Sequence, residues 1–387
     1  MVEMFRGDLH PRWGEMATKA RPGDLVSLTH AFSAAAANPA LWEDAMVAAA
    51  DATGSTGAAL LPLRGQLPNV PISQSVGELF AAYFRDGWHQ TDPRYAGIPA
   101  LIRRGVMSDF DVGPPEEFVR TPIYRELCAP LGLRWVAGVK VAAGDDLWCL
   151  AIQRSADEGP FAPQDMRRLS ALSRSLSAAA ATARAFGFAR AEAALDAFEM
   201  SGSAVVLFDR CGEVFRLNKA AERLLGSDLQ IVRNRLVSRD RSATAALDRT
   251  LHALLWRPDG ASLQPPVGLR REEGYPILAY LSRLTGVAAD CFAPCQVVAV
   301  LVDLEARVRL AERDLMSIFN LTPAEARLAS RLSSGDSIEE IAAGLSISYE
   351  TSRKRLKSIF QKTNTHRQAQ LVALLAQFSI GRRSSPL

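Results

Sequence analysis

The chain is poor in the residues that catalysis and metal binding draw on. Its 387 residues include only five His and five Cys. His10, His30, His89, His252 and His366 are dispersed, and none joins a recognisable catalytic cluster. Cys128, Cys149, Cys211, Cys291 and Cys295 are odd in number and lie in apolar stretches, which suits a reducing cytoplasm. Cys291 and Cys295 have a spacing that can bind metal, but no matching His or Cys lies near, so ordinary thiols and no metal site are expected. There is no Gly-x-Ser-x-Gly elbow, no phosphate-binding Gly-x4-Gly-Lys loop and no His-Glu-x-x-His. The acidic cluster and distant Lys of a phosphoacceptor domain are missing too. These gaps argue against an enzyme and against a bound cofactor. The longest apolar runs, Val297–Val302 and Ala178–Ala183, are far short of the roughly 20 residues of a membrane span. A basic start followed by an apolar stretch is absent, so the expectation is a cytoplasmic protein with no membrane contact.

What is present suffices for several cores. Hydrophobic residues make up 48% and charged residues 22%. At roughly 150 residues per domain, the length implies two or three domains. The net charge is only +3, but it is unevenly placed: from Leu321 to Leu387 ten Lys/Arg face five Asp/Glu, a local +5, which leaves about −2 for the rest. Positive charge collects where a phosphate backbone would need it.

Start and stop signals place helices in that basic segment. Thr322 with Glu325 forms a capping box, and Pro323 suits a first helical position. This helix reaches Ser333, with Gly335 as its stop. Ser337 with Glu340 opens a short helix, Ile338–Ala343, broken by Gly344. Ser348 caps a third, Tyr349–Lys362, and Thr365 with Gln368 opens a fourth, Arg367–Gln377. On the third helix Leu356, Ile359 and Phe360 share a face for burial, while Arg353, Lys354, Arg355 and Lys357 gather on its N-terminal half.

Leu321–Leu375 resembles the LuxR-type helix-turn-helix of bacterial transcription regulators. The resemblance is carried by Leu321-Thr322-Pro323, Glu325, Gly335, Ile341-Ala342, Leu345, Ile347-Ser348, Thr351, Ile359 and Lys362. It implies an all-α four-helix module that binds double-stranded DNA, dimerises through its last helix and works with RNA polymerase. Arg353, Lys354 and Lys357 would read bases; Ser348, Thr351, Arg355, Lys362 and Arg367 would hold phosphates. Two positions depart from the pattern: Ser352 stands where an apolar residue is usual, and Arg355 where His is common.

Upstream, residues 1–37 read as a poorly periodic extension. Residues 38–162 read as an α+β domain: a helix opened by Asn38-Pro39, strands Ala58–Leu63 and Leu67–Ile72, and a helix capped by Ser75 with Glu78. A Pro- and Gly-rich stretch, a short helix Ile123–Leu131 and a hairpin of Arg134–Ala142 with Leu147–Gln153 complete it. Residues 163–200 form a long helix in which Leu169, Leu172, Leu176, Ala179, Ala183 and Phe186 trace a heptad seam, read as a homodimer contact. Residues 201–304 make a second α+β unit, with strands Ala204–Phe208 and Glu213–Leu217, an Asn218-capped helix, a Ser242-capped helix and three further strands. Residues 305–320 would be a linker helix relaying state to the DNA reader in 321–387.

The segment Ala204–Gly226 resembles the opening of a PAS domain, and the element order of Leu41–Phe188 resembles a GAF-type or LuxR-type signal-binding domain. The chain is thus expected to be multidomain: two α+β sensor-type domains, GAF-like then PAS-like, joined by a long helix and followed by the DNA module. The signal-binding resemblance implies a ligand site at Tyr83, Trp88 and Asp92, with Asp92 accepting a hydrogen bond from the ligand. Trp135 and Trp148, read as opposite each other across the hairpin, would line the same cavity for a small apolar organic ligand. The leading reading is a ligand-controlled transcription regulator. The alternative is a regulator controlled by protein contacts, whose first domain would have a filled core without a ligand-sized cavity.

Overall fold

The computed structural model describes residues 25–65, 70–256, 264–284, 290–305 and 310–382, with residues 377–382 as helix backbone. The chain is multidomain and mixes helix with sheet. Helices α1 (Leu25–Ala37) and α2 (Trp42–Thr53) precede β1 (Gly57–Pro62), α3 (Gly77–Arg85), α4 (Ile98–Arg104), β2 (Val106–Ser108), α5 (Pro115–Phe118), β3 (Leu133–Ala143) and β4 (Asp146–Ser155). The strands pair antiparallel in the order β1-β4-β3-β2. Both faces of this sheet are covered. Trp135, Ala137, Val139, Val141, Trp148, Leu150 and Ile152 pack on one side against α1, α2 and the long helix α6 (Pro163–Met200). The period-2 alternation of β-strands sends Val136, Gly138, Cys149, Ala151 and Gln153 to the other side.

Several expectations change here. The N-terminal boundary falls earlier than residue 38, because Leu28 and Phe32 of α1 are fully buried in the first core. Ser75 does not cap α3: it lies in a 3₁₀ turn, Gln74–Val76, with its hydroxyl 3.0 Å from that of Ser73. Of the expected strand Leu67–Ile72, residues 67–69 lie outside the described residues, and Ile72 makes a single bridge to Ala59. The heptad seam of α6 is not free for a partner chain. Leu169, Leu172, Leu176, Ala179 and Ala183 are buried against β3, α1 and their neighbours, and only Phe186 is exposed. An amphipathic stripe has the same spacing whether a second copy or its own sheet covers it, so the sequence pattern could not separate the two.

The second unit holds β5 (Ala204–Phe208), β6 (Val214–Leu217), α7 (Lys219–Glu222), the hairpin β7 (Leu229–Val232) and β8 (Arg235–Ser238), α8 (Arg241–Trp256), β9 (Val267–Leu269), β10 (Ile277–Arg283) and β11 (Val297–Asp303). Its main sheet runs β6-β5-β11-β10-β9, antiparallel throughout. Asn218 is buried and caps α7 as expected: its Oδ1 accepts from the backbone N–H groups of Ala221 and Val205, and its Nδ2 donates to Ser203 O at 2.7 Å. At α8 the cap is Asp240, not Ser242; Asp240 Oδ1 accepts from both the N–H and the hydroxyl of Ser242.

The two α+β units are not separate bodies. At 38 residues, α6 is roughly 57 Å long. Its first half covers the first sheet; Ala191, Leu195 and Phe198 pack on Val205 and Leu207 of the second. A loop of the second unit then enters the first core. Phe292, 1% exposed, lies between Trp42 and Trp148 with ring centroids at 5.1 and 4.7 Å, and Trp42 Nε1 donates to Asp290 Oδ1. On α6, a Cβ at position 187 would lie 3.0 Å from Ala293 Cα, so Gly187 permits the close approach.

The C-terminal unit is helical: α9 (Glu312–Phe319), α10 (Pro323–Ser333), α11 (Ile338–Gly344), α12 (Tyr349–Thr363) and α13 (Gln368–Arg382). The expected linker helix spans residues outside the described set at 306–309, and its described part belongs to this core. Leu310 and Leu315 are buried with Leu328, Leu332 and Ile359, and the Ser330 hydroxyl donates to Leu310 O at 2.6 Å. Among the described residues no helix is long and apolar enough to cross a membrane.

The use of the α6 seam is open to a direct check. Leu176→Ala removes a fully buried side chain and should destabilise the two α+β units by about 2–5 kcal/mol, lowering the urea midpoint while the native mass stays unchanged. Unaltered stability with a halved native mass would return the seam to an intermolecular role.

Candidate functional sites

Two features stand out: a cavity in the first unit and a basic face on α12. The cavity measures about 620 Å³, within the 300–1,000 Å³ range of small-molecule sites. Its floor is the second face of the first sheet, where Gly138 and Ala151 keep the strands low. Phe80, Tyr83 and Phe84 of α3 roof it, with the turns that follow. The second unit supplies Arg210 and Cys211, from the β5–β6 turn, and Trp256, from the end of α8.

The polar anchor of the cavity is a closed constellation. Asp92 caps the 3₁₀ turn Pro93–Gly97 by accepting from Arg94 N at 2.9 Å. It also takes Arg94 Nε at 2.9 Å, Arg94 Nη2 at 2.7 Å and the Tyr83 hydroxyl at 2.8 Å. Burial pushes the Asp92 carboxyl up, but the Arg94 charge and these hydrogen bonds outweigh it and hold the group below its usual range. Burial, with Asp92 beside it, raises the Tyr83 phenol. Asp92 is therefore an ion with its acceptors in use. Arg94 Nη1 bonds to no described residue. Among the described residues, both ring nitrogens of His89 are buried and unbonded, and the Gln153 side chain, on the cavity lining, makes no hydrogen bond.

Of the residues expected at the ligand site, Tyr83 and Asp92 line the cavity. Trp88 instead packs against the cluster of α3 and Tyr124. Trp135 and Trp148 are on the opposite face of the sheet, in the helix-covered core, and they do not face each other: Trp135 pairs with Arg154 and Trp148 with Val141. Hairpin register fixes this, and a shift between Leu133 and Trp135 adds to it. Sequence reasoning missed Arg94, His89, Gln153, Arg210 and Trp256. Arg94 alone carried a signal, as a cation two residues after a capping Asp.

On α12, Ser348 accepts from Thr351 N at 3.1 Å and starts the helix. Leu356 and Ile359 are buried, as is Ser352, whose small side chain fits a fully enclosed position. Arg353, Lys354 and Lys357 are exposed together and form no ion pair among the described residues; Arg353 lies over the Tyr349 ring at 6.0 Å. Arg367 is exposed, and Arg355 and Thr351 are half-buried.

Lys362 differs from the other basic residues. Its Nζ donates to Glu325 Oε2 at 2.7 Å, joining α12 to the first turn of α10. The Ser358 hydroxyl donates to Glu325 Oε1 at 2.6 Å, and Glu325 also accepts from Thr322 N in the capping box. Lys362 is thus a tie between helices, with its side chain still 32% exposed. Burial raises the Glu325 carboxyl, but the donors from Lys362, Ser358 and Thr322 outweigh this and bring it down to about 2.

No family model and no curated protein matches this sequence. Among solved structures, the chain is similar to a phage VqmA in complex with DPO, at 18% identity over 51% of this chain and 92% of that one, with a TM-score of 0.22. It is also similar to the Vibrio cholerae VqmA dimer, studied in the absence of target DNA and discussed with LuxR-type receptors. There the identity is 15% over 46% of this chain and 84% of that one, with a TM-score of 0.19. Overlaps this loose establish no shared fold, ligand or operator.

The Glu325 tie makes the C-terminal unit acid-sensitive. The folded pKa, about 2, lies below the ordinary 4.5, so the stabilisation is complete above about pH 4.5 and is lost as pH falls towards 2. Solvent screening around the exposed Lys362 side chain holds it to about 1 kcal/mol. Amide exchange protection across α10 and α12 should fall through this window and should be pH-independent there in Glu325→Gln. Identical profiles for the two proteins would show that the tie contributes nothing.

Proposed function

We propose that this chain is a LuxR-type, DNA-binding transcription regulator whose affinity for its operator is set by a small molecule held in the first-unit cavity. The observation that carries the DNA-binding part is the exposed, unpaired trio Arg353, Lys354 and Lys357 on the N-terminal half of α12. A helix anchored by Leu356 and Ile359 can hold such a face rigidly against a major groove. Ser348 and Arg367 flank that face and are assigned to phosphates; Thr351 and Arg355, half-buried, contribute at its edge.

The small-molecule part rests on the cavity. A protein-controlled regulator would need no internal space, whereas this first unit leaves about 620 Å³, lined in part by His89, whose ring nitrogens are unbonded among the described residues. A GAF-like sensor followed by a PAS-like relay is the reading adopted for the two α+β units. Arg210 and Trp256 at the cavity give the relay direct access to its occupant. A ligand can act only through a difference in affinity between two states, and a residue shared between units provides one. The protein is assigned as a homodimer through α13, since the α6 seam is occupied, and as a partner of RNA polymerase at its promoters.

The test begins with selecting bound duplexes from a random double-stranded library, followed by fluorescence anisotropy. Arg353→Ala should lose about 1–3 kcal/mol on the selected sequence and much less on random duplex. Equal losses on both would remove Arg353 from base reading. No salt-dependent binding to any duplex would remove the DNA-binding proposal itself.

A further inference from the structure

The cavity also constrains the chemistry of its occupant, if the small-molecule reading above holds. The residue first expected to contact a ligand, Asp92, is unavailable: Tyr83, the Arg94 backbone and the Arg94 guanidinium occupy its oxygens. A ligand N–H therefore finds no carboxylate acceptor there. What the cavity offers is the other edge of Arg94, which has no described partner and whose side chain is 13% exposed. A guanidinium edge is a planar donor fork suited to two oxygens of one anionic group.

Two further observations point the same way. The charged residues lining the cavity are Arg94, Arg210 and Asp92, a formal +1. Arg210 is itself held by Asp146, which also pairs with Arg184 at 2.7 Å, so one carboxylate answers two cations near the mouth. Gln153 is 3% exposed as a residue, lines the floor and has no side-chain hydrogen bond among the described residues. An amide that lines the cavity with its hydrogen-bonding capacity unused within the described fold can bond the polar atoms of an occupant. The remaining wall is apolar: Phe80, Phe84, Leu101, Met107 and Val136.

We infer that the cavity takes an organic anion: a molecule with one carboxylate- or sulfonate-like oxyanion on Arg94, a polar edge on Gln153 and an apolar, ring-sized body between the sheet and α3. Arg94 is then the residue that selects anionic from neutral occupants, and Asp92 and Tyr83 are the positioning residues that hold its guanidinium in place.

Two fluorescent probes that share a ring system test this in the full-length chain: 1-anilinonaphthalene-8-sulfonate, an anion, and N-phenyl-1-naphthylamine, its neutral counterpart. The anion should bind at least about tenfold more tightly than the neutral probe. The double variant Asp92→Asn with Arg94→Gln removes the whole ion pair and so leaves no buried lone charge. In it the two affinities should come within about threefold of each other. Ala151→Trp fills the cavity floor and should abolish the binding of both probes. Equal affinities in the native chain, or a preference that survives the double variant, would overturn the anion assignment and leave a ligand cavity standing. If neither probe binds the native chain better than Ala151→Trp, the small-molecule reading itself falls, and the inference with it.

Discussion

Much of this structure depends on one buried contact, the insertion of Phe292 between Trp42 and Trp148. The ring is almost wholly enclosed, and burying a side chain of this size is worth about 2–3 kcal/mol. Its larger consequence is geometric. Phe292 belongs to the second α+β unit, and the tryptophans belong to the first. With α6 running behind both sheets, the insertion locks the two units into one body. This brings the β5–β6 turn and the end of α8 up to the first-unit cavity, where Arg210 and Trp256 join the lining. Under the proposed function, a cavity lined by residues of both units would need no long path to transmit occupancy.

Charge is handled in two distinct ways. Arg94 with Asp92, and Lys362 with Glu325, are closed pairs with further hydrogen bonds on the carboxylate. Each fixes one piece of backbone to another: a turn beneath α3, and α12 against α10. Removing one member of the Arg94–Asp92 pair leaves a largely buried charge uncompensated, whereas in the second pair Glu325 alone is buried and Lys362 stays partly in solvent. Among the described residues, Arg353, Lys354 and Lys357 have no such partners, and they are exposed. The distinction separates basic side chains that tie helices together within the fold from those left to solvent.

The C-terminal helices were legible because their signals are local. Capping boxes at Thr322–Glu325 and Ser337–Glu340, and the Ser348 cap, act within four residues of chain, and all three form. Asn218 was legible for the same reason. The expected caps at Ser75 and Ser242 failed because a nearby group, the turn at Gln74–Val76 or the Asp240 carboxylate, supplied a better start. The candidate ligand site was half legible. Tyr83 and Asp92 are near in sequence and reach the same cavity, whereas Trp135 and Trp148 depend on a strand register that no local signal announces.

By itself, then, the sequence determined the boundaries of the first three capped helices of the basic unit, the concentration of positive charge there, the hairpin of β3 and β4, and the amphipathic stripe of α6, whereas the fourth helix, expected to end at Gln377, runs on to Arg382. Each follows from residues within one or two turns of one another. Only the tertiary structure decided what covers the stripe, which sheet face holds the cavity, that Asp92 is closed by Arg94, and that Lys362 is bound to Glu325. Those outcomes depend on partners distant in the chain, up to 248 residues apart for Trp42 and Asp290. Periodicity states that a face will be buried, but the identity of the burying surface is set by packing between elements that no local pattern encodes.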